Sequence, residues 1–317
     1  MTDVAVGVDI GGTSSRALAV HADGRVAGRG ASGGGNPNSH PPEVAAGRVA
    51  EAVAAAVPTG ADVVSCLLGL AGESKFSDPA ILAIFEAALR EVGVTCRIDV
   101  VSDAEVAFAS ATSAPDGTVL IGGTGSVAAR IVGRRKESWR GGWGWLLGDE
   151  GSAFWIGRQA VRSTLSVLQS TAPLGLLAEA VLKETVGDVG DRRLALSRLI
   201  TSANAEPPIR LARFASLVSD LAAADPAAAD IVADAARLLA EQAAMARTPD
   251  ETTPVVLAGS VIGPSSPVGV ALRERLSAEA EVRYASDGAA GAAWLAALEA
   301  WGPTTPHPTP RESRPQT

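Results

Sequence analysis

A strand-like run of apolar residues ends in two glycines, preceded by an aspartate and followed by hydroxyl residues. The run covers residues 4–10 and ends at Asp9-Ile10, the glycine pair and a threonine follow at 11–13, and Arg16 opens a second apolar run. Glycine allows the backbone to approach a ligand closely, so successive N–H groups can point at one anion. Asp9 could hold a hydrated Mg²⁺ against the same phosphates. The string therefore predicts a phosphate-binding turn, although an aspartate before two glycines is also typical of ordinary tight turns.

The same short string recurs in the second half of the chain. Residues 121–124 repeat the Ile-Gly-Gly-Thr of residues 10–13, again between two apolar runs, at 118–121 and 127–132. Each turn ends the first strand of its own half. The repeat therefore predicts a duplicated fold whose halves face each other, with a nucleotide phosphate chain between them.

A single carboxylate stands at the end of another predicted strand. Asp103 follows an apolar run that ends at residue 101 and precedes a short helical pattern at 104–111. Open α/β sheets place their chemistry at the carboxyl ends of strands, so Asp103 is a candidate general base. The alternative is that Asp103 only caps the helix, with Glu105 favouring the helix dipole.

Glycine and tryptophan are concentrated in the segment from Trp139 to Trp155, which contains four of the six tryptophans of the chain. Tryptophan could stack on a sugar ring, but it is more often part of a core or an interface, so we expect most of these four to be packing residues. Asp149 and Glu150 precede a helix predicted at residues 152–169, and they could simply complement its dipole.

The order of the elements predicts an α/β fold made of two ribonuclease-H-like lobes with a central nucleotide cleft. Three strands at the start of the chain are followed by alternating helices and strands, and the plan restarts at Thr118. The loop at residues 33–40, rich in glycine and asparagine, is typical of a ligand loop. The N-terminal lobe covers residues 1–117 and is completed by the last helix, at about 288–301.

The C-terminal lobe covers residues 118–287 and includes a helical insertion at 173–247. Residues 302–317 hold five prolines in sixteen positions. Such a composition buries little apolar surface, so this segment is predicted to be a disordered tail.

Composition limits the class of protein. With 317 residues, 47% of them hydrophobic, the chain can form two domains with real cores. A net charge of −8 disfavours nucleic acid and acidic membrane surfaces as partners. The two cysteines, Cys66 and Cys96, are each isolated among apolar residues, so their spacing indicates neither a disulfide framework nor a cysteine-based zinc or iron–sulfur site. No signal-peptide pattern or apolar run of membrane-spanning length is present, which predicts a cytoplasmic protein.

Two common nucleotide motifs can be set aside. Gly28, Gly30 and Gly33 fit the dinucleotide pattern G-x-G-x-x-G, but glycine, asparagine and proline follow where a helix is required. None of the three lysines follows a glycine, which excludes a Walker A loop.

Taken together, the motifs resemble those of N-acetylglucosamine kinases and of glucosamine kinases of the same branch, within the actin and hexokinase superfamily. The strings that carry the resemblance are Asp9-Ile10-Gly11-Gly12-Thr13, Ser102-Asp103-Ala104, Ile121-Gly122-Gly123-Thr124-Gly125-Ser126, Gly141-Gly142-Trp143-Gly144, Gly148-Asp149-Glu150-Gly151-Ser152 and Ala258-Gly259-Ser260-Val261. The resemblance implies ATP-dependent transfer of the γ-phosphoryl group to the 6-hydroxyl of an amino sugar, with Mg²⁺, by a homodimer.

The resemblance also assigns roles to residues. It makes Asp103 the catalytic base, and the metal ligand remains Asp9, as predicted from the glycine turn itself. The residues implied to contact the sugar are Asn36, Asp103, Gly142, Trp143 and Asp149. The residues implied to bind ATP are Gly11, Gly12, Thr13, Arg16, Gly123, Thr124, Gly125, Ser126, Ala215, Gly259 and Ser260.

Departures from the family pattern leave the sugar open. Arg140 stands where animal members carry a small thiol residue, and Ala71 stands where they carry a serine. Glu73 could pair with a free amine, or it could be a solvated turn residue. Two alternatives are an activator ATPase, which would need cysteines to hold a cluster, and a non-catalytic sensor of sugar or nucleotide.

Overall fold

The computed structural model describes residues 2–187 and 190–307, and these form two compact units. Unit 1 comprises residues 2–115, 131–136 and 285–307, and unit 2 comprises residues 116–130, 137–187 and 190–284. The last helix of the described chain therefore belongs to the same unit as the N-terminal residues.

Unit 1 is built on a five-stranded mixed sheet in the order β3-β2-β1-β4-β5. Its elements, numbered in chain order, are β1 (Thr2–Ile10), β2 (Ser14–Val20), β3 (Val26–Gly33), α1 (Pro42–Ala56), β4 (Ala61–Leu70), α2 (Pro79–Glu91), β5 (Ile98–Ser102), α3 (Asp103–Ala111) and α10 (Gly288–Trp301). The first three strands pair antiparallel, whereas β1, β4 and β5 run parallel. The carboxyl ends of the three parallel strands therefore meet at one edge of the sheet.

Alternation along β1 separates the two faces of this sheet. Val4, Val6 and Val8 pack with α1 and α2, whereas Ala5 packs with α3 and α10. Gly7 faces α10 as well, and a Cβ atom at Gly7 would lie 1.9 Å from the backbone nitrogen of Ala293. The period of two places Asp9 on this same side, toward the start of α10.

Unit 2 contains the second five-stranded sheet, in the order β10-β9-β6-β7-β8. Its elements are β6 (Gly117–Gly122), β7 (Ser126–Val132), β8 (Arg135–Gly141), α4 (Ala153–Leu168), α5 (Leu176–Thr185), α6 (Arg192–Ala205), α7 (Ala215–Leu221), α8 (Pro226–Met245), β9 (Val255–Ala258), α9 (Pro267–Leu276) and β10 (Val282–Tyr284). As β1 does in unit 1, β6 lies at the centre of its sheet, and it pairs parallel to β9. The predicted α/β fold of two ribonuclease-H-like units is confirmed.

Strand β8 was not predicted from the sequence. Its residues alternate between exposed and half-buried, and it forms the edge of the sheet in the described chain. A strand without a buried face lacks the apolar alternation that identifies strands in a sequence. In the helical region, the four helices α5 to α8 agree with the predicted insertion, and their inner faces share one core with α4 and β6.

The start of the predicted tail packs on α10. The indole nitrogen of Trp294 donates a hydrogen bond to the carbonyl oxygen of Thr305 at 3.3 Å, and the His307 ring contacts the Trp294 ring edge-on at 4.5 Å between centroids. Residues 302–307 are thus held by specific contacts, contrary to the prediction, because a buried indole N–H requires a partner. The rest of the predicted tail lies outside the described residues. Within the part of the chain that the structure describes, no helix has the length and apolarity needed to cross a membrane.

Candidate active site

The first glycine turn connects β1 to β2 and sits beside an ion pair. Asp9 and Arg16 are directly opposite each other in the two strands. The Arg16 guanidinium contacts the Asp9 carboxylate at 3.0 Å, while more than half of the Arg16 side chain remains exposed. A half-exposed guanidinium beside a glycine turn has donors left for an anion.

The Asp9 carboxylate lies against the first residue of α10. A Cβ atom at Gly288 would come within 2.7 Å of the Asp9 carboxylate, so only glycine leaves room for it. Burial raises the pKa of Asp9, the ion pair with Arg16 opposes this shift, and the nearby Asp287 adds to it. A divalent cation would relieve the crowding of these carboxylates.

The donor set at Asp9 fits a hydrated magnesium ion. Among the described residues, no group of three or more histidine, cysteine or acidic side chains forms a ready metal cage. Mg²⁺ does not need one, since it keeps several waters and takes one or two carboxylates together with substrate phosphates. Asp9 therefore remains the predicted ligand.

Asn36 is buried in the loop that follows β3. Its side-chain nitrogen donates to the carbonyl oxygen of Ala71 at 3.0 Å, and its side-chain oxygen accepts from the backbone N–H of Asn38 at 2.8 Å. An amide side chain has two N–H donors and two acceptor lone pairs. One donor and one lone pair thus fix Asn36, and one of each is left with which to contact a ligand.

Asp103 is the first residue of α3, but it does not cap that helix. The cap is Ser102, which forms a complete capping box with Glu105. The Glu105 carboxylate accepts from the Ser102 N–H at 2.7 Å and from the Ser102 hydroxyl at 2.8 Å. The structural role considered for Asp103 is therefore filled by its two neighbours.

The environment of Asp103 suits a base. Its pKa is raised to about 6, mainly by burial. The hydrogen bond from the Ala104 N–H and the positive charge of Lys136 oppose this shift of the pKa. The negative charges of Glu73 and Asp9 add to it. A carboxylate with a pKa near 6 is still ionised at neutral pH and is a stronger base than an ordinary aspartate.

Glu73 forms an ion pair with Lys136, and both side chains are largely shielded from solvent. The sequence suggested that Glu73 either pairs with a free amine of the sugar or is a solvated turn residue. In the structure its carboxylate is instead paired with a lysine of the same chain. The partner is 63 positions away along the chain, so sequence spacing could not have shown it.

The second glycine turn, in unit 2, sits on the start of α4. The carbonyl oxygens of Gly123 and Thr124 accept from the backbone N–H groups of Ala153 and Phe154, at 2.9 and 3.3 Å. A Cβ atom at Gly123 would meet nothing within 4 Å. The turn is thus fixed from one side and has open space above Gly123.

Asp149 supports this turn instead of the helix dipole. It is buried, with a φ of 60°, and its carboxylate accepts from the Ser126 N–H at 3.2 Å. A Cβ atom at Gly125 would lie 2.7 Å from the same carboxylate. Burial raises the pKa of Asp149, the Ser126 hydrogen bond opposes this, and Glu150 adds to it.

The glycine and tryptophan segment starts from the same turn. Gly142, with a φ of 69°, donates its N–H to the carbonyl oxygen of Ser126 at 2.9 Å. Trp143 is 65% exposed and Trp139 is 56% exposed. Trp145 is partly exposed and contacts Phe154 edge-on. The fourth tryptophan, Trp155, packs against the core of unit 2. The four tryptophans therefore divide, with two that pack on neighbours and two, Trp139 and Trp143, whose rings face solvent.

Two further predicted nucleotide residues lie next to the second turn, and a third lies on a helix. Gly259 has a φ of 101°, and a Cβ atom there would lie 2.3 Å from the carbonyl oxygen of Gly122. Ser260 follows it and is exposed at the start of a single 3₁₀ turn. Ala215 begins α7 and packs against the core of unit 2.

Unit 1 thus places Arg16 in an ion pair with Asp9, and places Asp9 close enough to Asp103 for its negative charge to raise the pKa of Asp103. Sequence reasoning missed Lys136, which pairs beside Asp103, and His40, whose ring nitrogen lies 2.8 Å from the carbonyl oxygen of Gly12. The only signal for His40 is its place in the asparagine-rich loop, because its partner is 28 positions away.

Two curated relatives are kinases of acetylated amino sugars. N-acetylmuramic acid/N-acetylglucosamine kinase of Clostridium acetobutylicum is 39% identical over 101 residues, which are 31% of this chain and 31% of that protein. N-acetyl-D-glucosamine kinase of Dictyostelium discoideum is 26% identical over 194 residues, which are 57% of this chain and 60% of that protein. The matched parts thus span less than two thirds of either relative.

The fold is shared with solved structures. A Chromobacterium violaceum protein assigned as an N-acetylglucosamine kinase superposes with a TM-score of 0.71, at 24% identity, over 93% of this chain and 99% of that chain. These matches confirm that the chain is similar to N-acetylglucosamine kinases, as the motifs predicted. The model of the BadF/BadG/BcrA/BcrD ATPase family matches residues 6–296, so the chain belongs to the BadF/BadG/BcrA/BcrD ATPase family.

Proposed function

We propose that the protein is an ATP-dependent sugar kinase that transfers the γ-phosphoryl group to the 6-hydroxyl of N-acetylglucosamine or glucosamine. The observation that carries the proposal is the state of Asp103. It stands at the carboxyl end of β5, its pKa is raised to about 6, and the capping box of Ser102 and Glu105 leaves it free for catalysis. The ATPase family and the two relatives named as amino-sugar kinases support the same reaction.

Each residue of unit 1 has a role in this reaction. Asp103 accepts the proton of the sugar hydroxyl as that oxygen attacks the γ-phosphorus, and the bond from this phosphorus to the bridging oxygen breaks to release ADP. Arg16 donates to phosphate oxygens from the exposed part of its guanidinium. Asp9 holds Mg²⁺, which supplies charge neutralisation on the phosphates when bound. Asn36 contacts the sugar through its remaining donor and lone pair.

The residues of unit 2 have matching roles. The turn at Gly123, Thr124, Gly125 and Ser126 binds phosphate, with Gly123 offering open space to the ligand. Gly142, Trp143 and Asp149 form the sugar contacts, and the exposed Trp143 ring provides a stacking face. Ala215, Gly259 and Ser260 bind the rest of the nucleotide.

The ion pair of Glu73 bears on the choice of sugar. A free 2-amine on the sugar is cationic and would need an anionic partner. Glu73 is already neutralised by Lys136, so a second cation would have to displace the lysine. The arrangement therefore favours the neutral acetamido sugar over glucosamine.

The positions of the cysteines argue against an activator ATPase. Cys66 is fully buried in the core of unit 1, where burial raises the pKa of its thiol, and Cys96 packs against the same core. Such a thiol does not readily form the thiolate that binds iron. Iron and sulfide analysis of anaerobically purified protein is expected to find no cluster.

The proposal is tested by measuring ADP release with N-acetylglucosamine, glucosamine, glucose and N-acetylmannosamine, and by locating the phosphate on the product by NMR. We expect the highest kcat/KM with N-acetylglucosamine and a 6-phosphate product. ADP release that no sugar accelerates, or a phosphate at another position, would overturn the proposal.

A glycine pair tests the nucleotide site without disturbing the fold. Gly123→Ala places a methyl group in open space, as does the control Gly47→Ala in α1, so both variants should fold. We expect Gly123→Ala to bind ADP at least about tenfold more weakly, since the methyl group occupies the space of the phosphate, whereas Gly47→Ala binds normally. Equal ADP affinities would remove the second turn from the site.

Two expectations about the whole protein belong to the same proposal. We propose that the kinase is a cytoplasmic homodimer, as the resemblance implies. Sedimentation velocity of the purified protein tests the dimer, and a single species with the mass of one chain would contradict it.

A further inference from the structure

The loop after β3 grips the backbone of the first glycine turn at two points. The backbone N–H of Asn36 donates to the carbonyl oxygen of Gly11 at 3.3 Å. The Nε2 atom of His40 lies 2.8 Å from the carbonyl oxygen of Gly12. Because a carbonyl oxygen only accepts, Nε2 must carry the proton and donate it. Two consecutive carbonyl groups of the turn are thus held by one loop.

The loop itself is closed and closely packed. The carbonyl oxygen of Asn36 accepts from the N–H groups of Ser39 and His40, at 2.9 and 3.1 Å. A Cβ atom at Gly34 would lie 2.0 Å from the Gly12 carbonyl oxygen and 2.8 Å from His40 Nε2. Glycine at position 34 therefore permits the contact between His40 and the turn.

Holding these carbonyl groups also sets the direction of the N–H groups that follow them. In a trans peptide the C=O and the next N–H point in opposite directions, and the unit is planar. With its carbonyl groups held toward the loop, the turn points the N–H groups of Gly12 and Thr13 away from it. These are the donors that a phosphate would use.

We propose that His40 is a positioning residue of the nucleotide site. Its Nε2–H fixes the Gly12 peptide, aims the Thr13 N–H at the phosphate, and links the nucleotide turn to the Asn36 loop that contacts the sugar. The proposal rests on the proposed function for the identity of the two ligands. It also requires reciprocal coupling, in which each ligand strengthens the binding of the other.

Two polar substitutions test this geometry. In His40→Gln the side-chain nitrogen can reach the position of Nε2, whereas in His40→Asn it reaches only the position of Nδ1. The control is His21→Asn, near the other end of β1, where the Nδ1 atom of His21 lies 3.3 Å from the carbonyl oxygen of Asp3 and the asparagine side chain can keep this contact. ADP affinity is measured by calorimetry with and without N-acetylglucosamine, and melting temperatures report the fold.

We expect His40→Asn to bind ADP about five- to tenfold more weakly, as for the loss of one hydrogen bond of about 1 kcal/mol. His40→Gln is expected to restore affinity to within about twofold, and His21→Asn to behave as wild type. The KM for ATP is expected to rise in His40→Asn with little change in kcat, and N-acetylglucosamine is expected to strengthen ADP binding less than in wild type.

Equal ADP affinity in His40→Asn and wild type would overturn the proposal, as would equal weakening in the asparagine and glutamine variants. If His40→Asn fails to fold, ADP affinity in His40→Gln decides, and a loss beyond about fivefold there would contradict the geometry. Failure of the kinase reaction is distinguishable, because wild-type protein would then bind ADP without phosphorylating any sugar, and the affinity series could still be measured.

Discussion

At the scale of single residues, Asp103 shows how a neighbour can free a side chain for chemistry. An aspartate at a helix start suggests a cap, but Ser102 and Glu105 have the spacing of a capping box, and the structure shows that they fill that role. The burial that raises the pKa of Asp103 to about 6 also means that its ionised form destabilises the folded state. Catalysis and stability are therefore opposed at this position, and each can be measured.

The catalytic side of this opposition predicts the effect of Asp103→Asn. The amide has nearly the same shape but cannot accept the hydroxyl proton, so kcat is expected to fall by about 10²- to 10⁴-fold while sugar and ADP affinities stay within a few fold. In wild type, kcat/KM is expected to fall as pH drops below about 6, because the base must be ionised. Steady-state kinetics from pH 5 to 8 measures both. A kcat within threefold of wild type would remove Asp103 from the mechanism.

The stability side makes the opposite prediction for the same variant. The pKa of Asp103 is raised from 3.8 to about 6 on folding, so the folded state binds the proton more tightly and this group's contribution to stability decreases as pH rises from about 4 to 6. Above pH 6 the cost is on the order of 2–3 kcal/mol. Asp103→Asn is therefore expected to melt higher than wild type at pH 8, with a smaller gain at pH 4. A gain that does not depend on pH would contradict the raised pKa.

At the scale of elements, β1 carries both the core and the site through its period of two. Alternate valines face α1 and α2, while Gly7 and Asp9 face α10. The position of Asp9 beside Gly288 thus depends on how closely α10 packs on β1. A shift of this helix would move the carboxylate that is proposed to hold the metal.

The close contact predicts a strong effect of Gly7→Ala. The added Cβ atom would lie 1.9 Å from the backbone of Ala293, and the helix backbone cannot give way as a flexible side chain could. We expect a loss of at least about 1–3 kcal/mol in the free energy of unfolding, measured by denaturant titration. Gly47→Ala, in α1 with nothing within 4 Å, is the matched control and is expected to gain about 0.5–1 kcal/mol. Similar values for the two variants would show that α10 is not closely packed on β1.

The elements that the sequence predicted are those with a one-sided apolar pattern. The glycine turn after β1 and the helices α5 to α8 follow from local residues. The edge strand β8 does not, because its residues alternate without a buried face. Two pairs could not be predicted because their members are far apart in the sequence. Glu73 pairs with Lys136, and Gln242 donates to the carbonyl oxygen of Arg140, 102 positions away. No local pattern encodes such long-range contacts.

At the scale of the whole molecule, the duplication of the Ile-Gly-Gly-Thr string predicted two similar sheets, and the structure has them, with β1 and β6 at their centres. The motif strings predicted a likeness to N-acetylglucosamine kinases, and the stretch that the family model matches, residues 6–296, contains every one of these strings. The exposure of Trp139 and Trp143 was not predictable, since the same residue type serves cores and ligand sites.

The net charge acts on the whole molecule and predicts the response to salt. The chain carries −8, so the molecule as a whole repels an anionic nucleotide, and salt screens this repulsion over a distance of about 8–10 Å. Raising NaCl from about 50 to 200 mM, which roughly halves the screening length, is therefore expected to leave kcat/KM for ATP unchanged or to raise it up to about twofold. The KM for uncharged N-acetylglucosamine is the control and should not change.

A protein that binds nucleic acid would instead lose affinity steeply over this range. A tenfold fall in kcat/KM for ATP, or binding of double-stranded DNA at the higher salt, would show that local positive charge outweighs the overall negative charge.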